Sequence, residues 1–223
     1  MTTVFEPSQV VLSKMMERIS AGNVQLPDFQ RGWVWSDDHI RSLLASISMS
    51  YPIGAVMMLG SGNKDVRFKL RPLEGAEPPA GAKVEELLLD GQQRLTSLFQ
   101  ALASGKPVRT RDARGTEVEL WYYVDMQKAL NPNLDREEAF ISLPQDRKVR
   151  NFRREVIQDY STPELERASG MFPLSLMFPG MGQMQWAMAF IQQKPENATL
   201  WEQFSEAIIK TFNQYQIPVI SLG

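Results

Sequence analysis

The stretch that decides the local fold is Leu87-Leu88-Leu89-Asp90-Gly91-Gln92-Gln93-Arg94-Leu95-Thr96-Ser97-Leu98. Its apolar start, residues 86–89, is typical of a short buried strand, whereas the apolar side chains within 95–102 recur at helical spacing. Asp-Gly often forms the turn of a β-hairpin, but a hairpin needs a second strand after the turn. Since a helical period follows instead, the sequence predicts a strand, a tight turn and an amphipathic helix.

This predicted turn has the chemistry of an anion site. A strand–turn–helix unit directs free backbone N–H groups and the positive end of a helix dipole towards one point. Gly91 leaves room for a phosphate, and Arg94 in the first helical turn can donate to phosphate oxygens. Gln92 and Gln93 offer neutral hydrogen bonds, and Asp90 can hold a hydrated Mg²⁺ beside a polyphosphate. A purely structural interpretation stays open, in which Asp90 caps the helix and Arg94 is solvated.

A second motif is the aromatic loop, which we define as Leu26-Pro27-Asp28-Phe29-Gln30-Arg31-Gly32-Trp33-Val34-Trp35. Its three aromatic rings surround Arg31, and Pro27 and Gly32 restrict or shape the backbone. Rigid loops on a scaffold are common ligand contacts. The alternative is a hydrophobic anchor, with Phe29 and Trp35 buried and Arg31 paired to a carboxylate.

The rest of the chain up to residue 144 reads as mixed helices and strands. Ser8 is a candidate N-cap for an opening amphipathic helix, and Ser36 for a second helix. The spacing of apolar residues predicts further strands over 55–59, 67–71, 117–125 and 139–143.

Helical character dominates after residue 144. We predict a basic helix over 147–159 and further helices from Pro163, over 184–192 and over 198–215, followed by a terminal strand over 217–222. The sequence thus predicts an α+β domain over 1–144 and a helical extension over 145–223. A final strand needs a partner, so we expect the chain to be truncated from a longer protein.

Composition narrows the chemistry. The chain has 223 residues, 43% hydrophobic and 22% charged, with a formal net charge of -2, which argues against a generally basic DNA-coating protein. It lacks cysteine, and its single histidine, His39, excludes a multi-histidine metal site or relay within the chain. His39 itself is expected to be a surface or hydrogen-bonded residue. Without an apolar membrane-length run or a secretory pattern over residues 1–7, a cytoplasmic location is expected.

One dense basic cluster surrounds Phe152, and its members are Arg147, Lys148, Arg150, Arg153 and Arg154. Basic side chains of this kind contact DNA phosphates, and a DNA-binding role is one interpretation. A solvated helix face is the other, because acidic residues interrupt the cluster.

Several separated motifs together resemble the GmrSD N-terminal domain family. They are Leu26-Pro27-Asp28-Phe29-Gln30-Arg31 with Trp35, then Leu44-Ala45-Ser46-Ile47, Pro52-Ile53-Gly54, and Leu89 to Leu98 with its Asp-Gly-Gln-Gln-Arg core. Their order and spacing agree as well as their residues, most clearly over residues 20–105.

The resemblance implies a ParB/sulfiredoxin-like mixed sheet with packed helices, in which the Asp90–Arg94 turn handles phosphate. It also implies nucleoside triphosphate hydrolysis coupled to restriction of modified phage DNA. By this resemblance residues 90–94 contact the nucleotide. On chemical grounds Asp90 and Arg94 are the catalytic candidates, because Arg94 would stabilise phosphate charge in the transition state and Asp90 would hold the metal or position water. The nucleotide contacts would be Gly91, Gln92 and Gln93, with Gln30 and Arg31 facing them.

The implied partners are DNA, with modified phage DNA as the implied target, and a C-terminal HNH-type nuclease region or partner subunit. A homo-oligomer is a further arrangement left open. The leading hypothesis is therefore a Mg²⁺-dependent nucleoside triphosphatase that licenses DNA attack. The alternatives are a non-catalytic DNA-binding module and an assembly module that docks the nuclease region.

Overall fold

A computed structural model describes residues 5–62 and 68–222 of the chain. Its strands are β1 (Phe5–Val11), β2 (Val24–Pro27), β3 (Val56–Gly60), β4 (Leu70–Arg71), β5 (Glu86–Asp90), β6 (Val108–Arg111), β7 (Glu117–Asp125), β8 (Phe140–Pro144), β9 (Lys148–Arg150), β10 (Val156–Asp159), β11 (Met171–Pro173) and β12 (Gln216–Leu222).

The helices lie between these strands. They are α1 (Leu12–Ser20), α2 (Asp37–Ser48), α3 (Gln92–Leu102), α4 (Met126–Leu130), α5 (Pro163–Ala168), α6 (Met181–Gln193), α7 (Asn197–Phe204) and α8 (Lys210–Gln214). A π-helical segment, Ser205–Ile209, joins α7 to α8. Short 3-10 turns span Arg136–Ala139 and Leu174–Leu176.

A six-stranded mixed sheet forms the centre of the fold, with strand order β1-β12-β3-β5-β2-β4. Strand β12 runs antiparallel to β1 and parallel to β3, while β5 runs antiparallel to β3 and parallel to β2. The prediction of an α+β fold with a mixed sheet is confirmed. This sheet carries β5 in its interior, and the predicted turn follows directly from that strand.

A second, four-stranded sheet is built around β7, which pairs antiparallel with β6, β8 and β11. The two sheets share one apolar core, in which α2 and α3 bury residues such as Ile40, Leu44, Leu95 and Leu98. Helices α6 and α7 add an aromatic cluster that is centred on the fully buried Phe172.

The N-terminal segment differs from the prediction. Ser8 does not cap a helix but lies inside β1, opposite Val219 of β12, and the helix begins at Leu12. The apolar spacing of α1 was recognised correctly, and Met15, Met16 and Ile19 are buried. The strand was missed because its partner lies at the other end of the chain, where no local pattern reveals the pairing.

The basic helix predicted over 147–159 is also wrong, because this segment forms an antiparallel β-hairpin of β9 and β10. Asn151 accounts for the difference: its side-chain oxygen accepts hydrogen bonds from the backbone N–H groups of Arg153 and Glu155. Such local side-chain bonds compete with helix formation and favour a turn. Val149, Val156 and Ile157 are β-branched, which suits strands.

The predicted terminal strand is confirmed as β12, and it finds its partners in β1 and β3 of the central sheet. The division at residue 144 stays a prediction, although β11 and β12 place residues from beyond that point in both sheets. The predicted strand over 67–71 begins outside the described residues, and its described part contains β4. Among the described residues, no helix is long and apolar enough to cross a membrane.

Candidate functional site

The turn between β5 and α3 depends on glycine. Gly91 has a φ of 91°, in the left-handed region, and forms the N-cap of α3. A Cβ at this position would lie 2.6 Å from Cγ1 of Val56 on the neighbouring strand β3. Glycine is therefore required twice, by the backbone angle and by the close approach of β3.

No side chain among the described residues caps the N-terminus of α3. Asp90 is the last residue of β5 rather than the N-cap, and its side chain is 72% exposed. The interpretation in which Asp90 caps the helix is therefore wrong. The N–H groups of Gln92, Gln93 and Arg94 have no intrahelical acceptor, as in the first turn of any α-helix. The turn thus combines unbonded helical N–H groups with one exposed carboxylate.

Arg94 is directed towards protein backbone. Its side chain is 20% exposed, and its guanidinium donates to the carbonyl oxygens of Ile53, at 2.6 Å, and of Ala55, at 2.9 Å. The solvated interpretation of Arg94 is therefore also wrong. A longer contact of 3.5 Å joins the same guanidinium to the carboxylate of Asp90. Arg94 thus ties the β5–α3 turn to the segment that precedes β3.

Glutamine side chains join this turn to the aromatic loop. Gln30 donates to the carbonyl oxygen of Leu89 at 2.7 Å, and Gln92 donates to the carbonyl oxygen of Arg31 at 2.7 Å. Gln93 brackets the loop, because it donates to the carbonyl oxygen of Gly32 and accepts from the N–H of Val34. The structure thus brings the two predicted motifs together, with Gln92 buried between them.

The aromatic loop is only partly an anchor. The indole N–H of Trp33 donates to the hydroxyl of Ser97 on α3 at 2.9 Å. Phe29, by contrast, is 62% exposed and contacts Phe68 edge-on. The prediction of a buried Phe29 is wrong. Arg31 is exposed, and it forms no ion pair with any residue that the structure describes.

A groove that the sequence did not predict is lined in part by the aromatic loop, and its lining includes none of residues 90–94. It has a volume of about 480 Å³, and its lining includes Trp33, Trp35, Gln100, Lys106 and Arg111. The groove depends on β6, which the sequence did not predict because Val108 is the single apolar side chain of Val108–Arg111. The indole of Trp35 packs partly against the core beside it.

The described residues hold no group of three or more histidine, cysteine or acidic side chains able to bind a metal on their own. Asp90 and Asp28 are exposed carboxylates of the turn and the aromatic loop. Mg²⁺ usually takes one or two carboxylates together with substrate phosphates, so a carboxylate here suits a metal that arrives with a polyphosphate. His39 is exposed and shares a 2.7 Å hydrogen bond with the hydroxyl of Ser36, as expected.

The basic cluster is divided between the base and the tip of the β9–β10 hairpin. Three of its members form ion pairs near the base: Arg147 with Glu166, Lys148 with Asp159, and Arg150 with Asp146. Arg153 and Arg154 lie at the tip and form no ion pair with a described residue. The cluster does not join the β5–α3 turn through any described hydrogen bond or ion pair.

The base of the hairpin is fixed by a buried carboxylate. Glu166 accepts from the hydroxyl of Tyr123 at 2.6 Å and from Arg147 at 3.1 Å. Burial raises the pKa of Glu166 above its ordinary value, although both partners act in the opposite direction. The guanidinium of Arg147 also stacks over the ring of Trp121 at 4.6 Å.

Comparison with known proteins finds related sequences. A family profile described as GmrSD restriction endonuclease, N-terminal domain, matches residues 12–222. An uncharacterized protein of Methanocaldococcus jannaschii is 27% identical over 226 residues, which cover 95% of this chain and 35% of that relative. The chain thus spans about a third of the length of this curated relative.

Proposed function

We propose that this chain, which belongs to the GmrSD restriction endonuclease N-terminal domain family, binds a nucleoside triphosphate at the β5–α3 turn and hydrolyses it. Family membership supports a place in a restriction system, and the proposal adds the nucleotide chemistry. In this proposal hydrolysis licenses attack on modified phage DNA by a nuclease region or partner subunit. The finer ParB/sulfiredoxin-like relationship of the fold is part of the same proposal.

The uncapped N-terminus of α3 is the observation that carries this proposal. Gly91 is buried beside Val56 of β3, but it brings no side chain to the N-cap, and no described side chain caps the helix. Helix N-termini of this kind bind phosphate, because N–H groups and the helix dipole favour the same anion. The hydrogen bonds of Gln30, Gln92 and Gln93 fix the aromatic loop beside it, so the site is built before a ligand arrives.

Each exposed charge then has a distinct role. Asp90 orients the attacking water and would hold Mg²⁺, which, when bound, would neutralise phosphate charge. Arg31, which has no acidic partner in the described part of the chain, donates to phosphate oxygens. Arg94 positions the turn through its carbonyl contacts and adds positive charge close to Asp90.

Phosphate release tests this proposal. The chain is incubated with a panel of nucleoside triphosphates and Mg²⁺, and the wild type is compared with Asp90→Asn. We expect the variant to lose activity on the order of 10²-fold or more, as happens when a transition-state contact is removed. Asp38→Asn is the matched control, because Asp38 is an exposed carboxylate in the first turn of α2.

The proposal fails if Asp90→Asn hydrolyses triphosphate at the wild-type rate. It also fails if the wild type neither releases phosphate nor binds any triphosphate by calorimetry. Arg31→Ala separates binding from chemistry, since the loss of a phosphate contact in the ground state raises KM more than it lowers kcat.

A second candidate function is a non-catalytic module that holds a DNA phosphate at the same turn. The observation in its favour is that Gln92, Gln93 and Arg94 all donate to protein carbonyls, which leaves mainly backbone N–H groups for an anion. Binding of duplex DNA at this turn without nucleotide, steeply weakened by salt and insensitive to triphosphate, would favour this candidate.

A further inference from the structure

We infer that the β9–β10 hairpin is a DNA probe, in which Phe152 stacks against or between base pairs while Arg153 and Arg154 contact the flanking phosphates. The choice of DNA as the nucleic acid rests on the proposed function in restriction. The contact itself uses none of the residues of the β5–α3 turn.

Phe152 is held in solvent on an ordered turn. Its side chain is 89% exposed, and residues 152–158 are all exposed. The N–H of Arg154 donates to the carbonyl oxygen of Asn151 at 2.9 Å. The N–H of Asn151 donates to the carbonyl oxygen of Glu155 at 3.0 Å. The Asn151 side chain adds hydrogen bonds to Arg153 and Glu155. Val156 and Ile157 of the same hairpin are exposed as well, and a group of exposed apolar side chains of this kind marks an interaction site.

Arg154, a charged residue of the tip, has a strained backbone conformation. Its φ is 65°, in the left-handed region, at the position of a three-residue hairpin loop where glycine is ordinarily preferred. An arginine there costs about 1–2 kcal/mol of backbone energy. Strained residues of this kind cluster at functional sites.

The body of the domain supports the hairpin at its base. The side chain of Arg147 stacks on Trp121 and pairs with the buried Glu166. The N–H of Tyr160 donates to the carbonyl oxygen of Arg147 at 2.9 Å and closes the base. The tip is therefore a projection with a fixed base rather than a loose loop.

Charge favours a nucleic acid over a protein as the partner. The guanidinium of Arg153 lies 5.2 Å from the centre of the Phe152 ring, and Arg154 follows directly. The one acidic residue at the tip, Glu155, is hydrogen-bonded to Asn151. Aromatic rings that stack on bases, beside arginines that neutralise phosphate, are the elements of DNA contacts that wedge into the stack.

The test measures binding of a fluorescent duplex that carries 2-aminopurine, at several salt concentrations and without nucleotide. Wild-type protein is expected to bind and to raise 2-aminopurine fluorescence by unstacking the base. Phe152→Ala should lose that rise and bind about tenfold more weakly, the usual size of one base–aromatic stack. Phe152→Trp should keep both signals, and Met188→Ala, an exposed apolar residue of α6, should behave as wild type.

The arginines are tested through salt dependence. Each arginine that contacts phosphate contributes about 0.9 to the slope of log affinity against log salt, so Arg153→Ala should lower the slope by that amount. Lys14→Ala is the matched control, because Lys14 is an exposed cation on α1.

The inference is overturned if Phe152→Ala binds the duplex as tightly as the wild type and gives the same 2-aminopurine fluorescence. It is also overturned if the wild type binds no duplex. Either result would leave the tip as a contact for a protein instead. Phosphate release from triphosphate is measured in parallel and should not change in Phe152→Ala. If the nucleotide proposal fails, the wild type releases no phosphate, while the DNA binding measurements are unaffected.

Discussion

Replacement of Gly91 by alanine should destabilise the fold because the structure leaves no room for a methyl group. The added Cβ would lie 2.6 Å from Cγ1 of Val56, and the backbone would keep a φ near 91°. A non-glycine residue in the left-handed region costs about 1–2 kcal/mol, and overpacking of a filled core costs about 1–3 kcal/mol. Together these effects lower the free energy of unfolding by about 2–5 kcal/mol.

The chain contains a matched control for this substitution. Gly115 has a φ of 79°, and no atom lies within 4 Å of the Cβ that alanine would add. Gly115→Ala should therefore cost only the backbone part, about 1–2 kcal/mol. Urea denaturation followed by circular dichroism gives both values, provided that the slope of the transition stays constant.

A double-mutant cycle isolates the contact with Val56. Val56→Ala removes Cγ1, so the two substitutions together should cost about 1–3 kcal/mol less than the sum of the single ones. The reasoning is refuted if Gly91→Ala costs no more than Gly115→Ala. A coupling energy near zero would also refute it, because the clash with β3 would then not exist.

Two further predictions concern charged side chains. Arg94→Ala leaves the carbonyl oxygens of Ile53 and Ala55 without their donor and should lower the free energy of unfolding by about 3 kcal/mol. Arg94→Lys should lose roughly half as much. A loss below about 1 kcal/mol for Arg94→Ala in urea denaturation would contradict this role. Hydrogen bonds from Ser161 hold the pKa of Asp159 at about 2, below its usual 3.8. The stabilisation of the folded state by these hydrogen bonds is therefore complete above about pH 4 and disappears as the pH falls through about 2. Ser161→Ala should raise that pKa in an NMR titration of the carboxyl carbon, and an unchanged midpoint would show that the hydroxyl is not responsible.

The local part of the site could be predicted from the sequence. Strand β5, the turn at Gly91 and helix α3 follow one another within a few residues, so the change of hydrophobic period reveals all three. The pairing of the aromatic loop with this turn came from the family resemblance, and the hydrogen bonds of Gln30 and Gln92 are consistent with it.

Features that depend on distant partners could not be predicted. Strand β1 was missed because β12 pairs with it from the other end of the chain. Arg94 was expected to face a ligand or solvent, since no local pattern shows that the carbonyl oxygens of Ile53 and Ala55 lie beside it. In the β9–β10 hairpin the density of charge suggested a helix, whereas the hydrogen bonds of the Asn151 side chain determine a turn.

The position of β12 between β1 and β3 has a consequence for biosynthesis. The central sheet is incomplete until the ribosome has released residues 216–222, although β1 and β3 are made much earlier. At the usual 5–20 residues per second the interval between β3 and β12 lasts about 8–32 s, during which the edge of β3 that later binds β12 has no partner. Pairings between distant segments also close slowly. We therefore expect the nascent chain to need protection from aggregation by chaperones until its last strand is inserted.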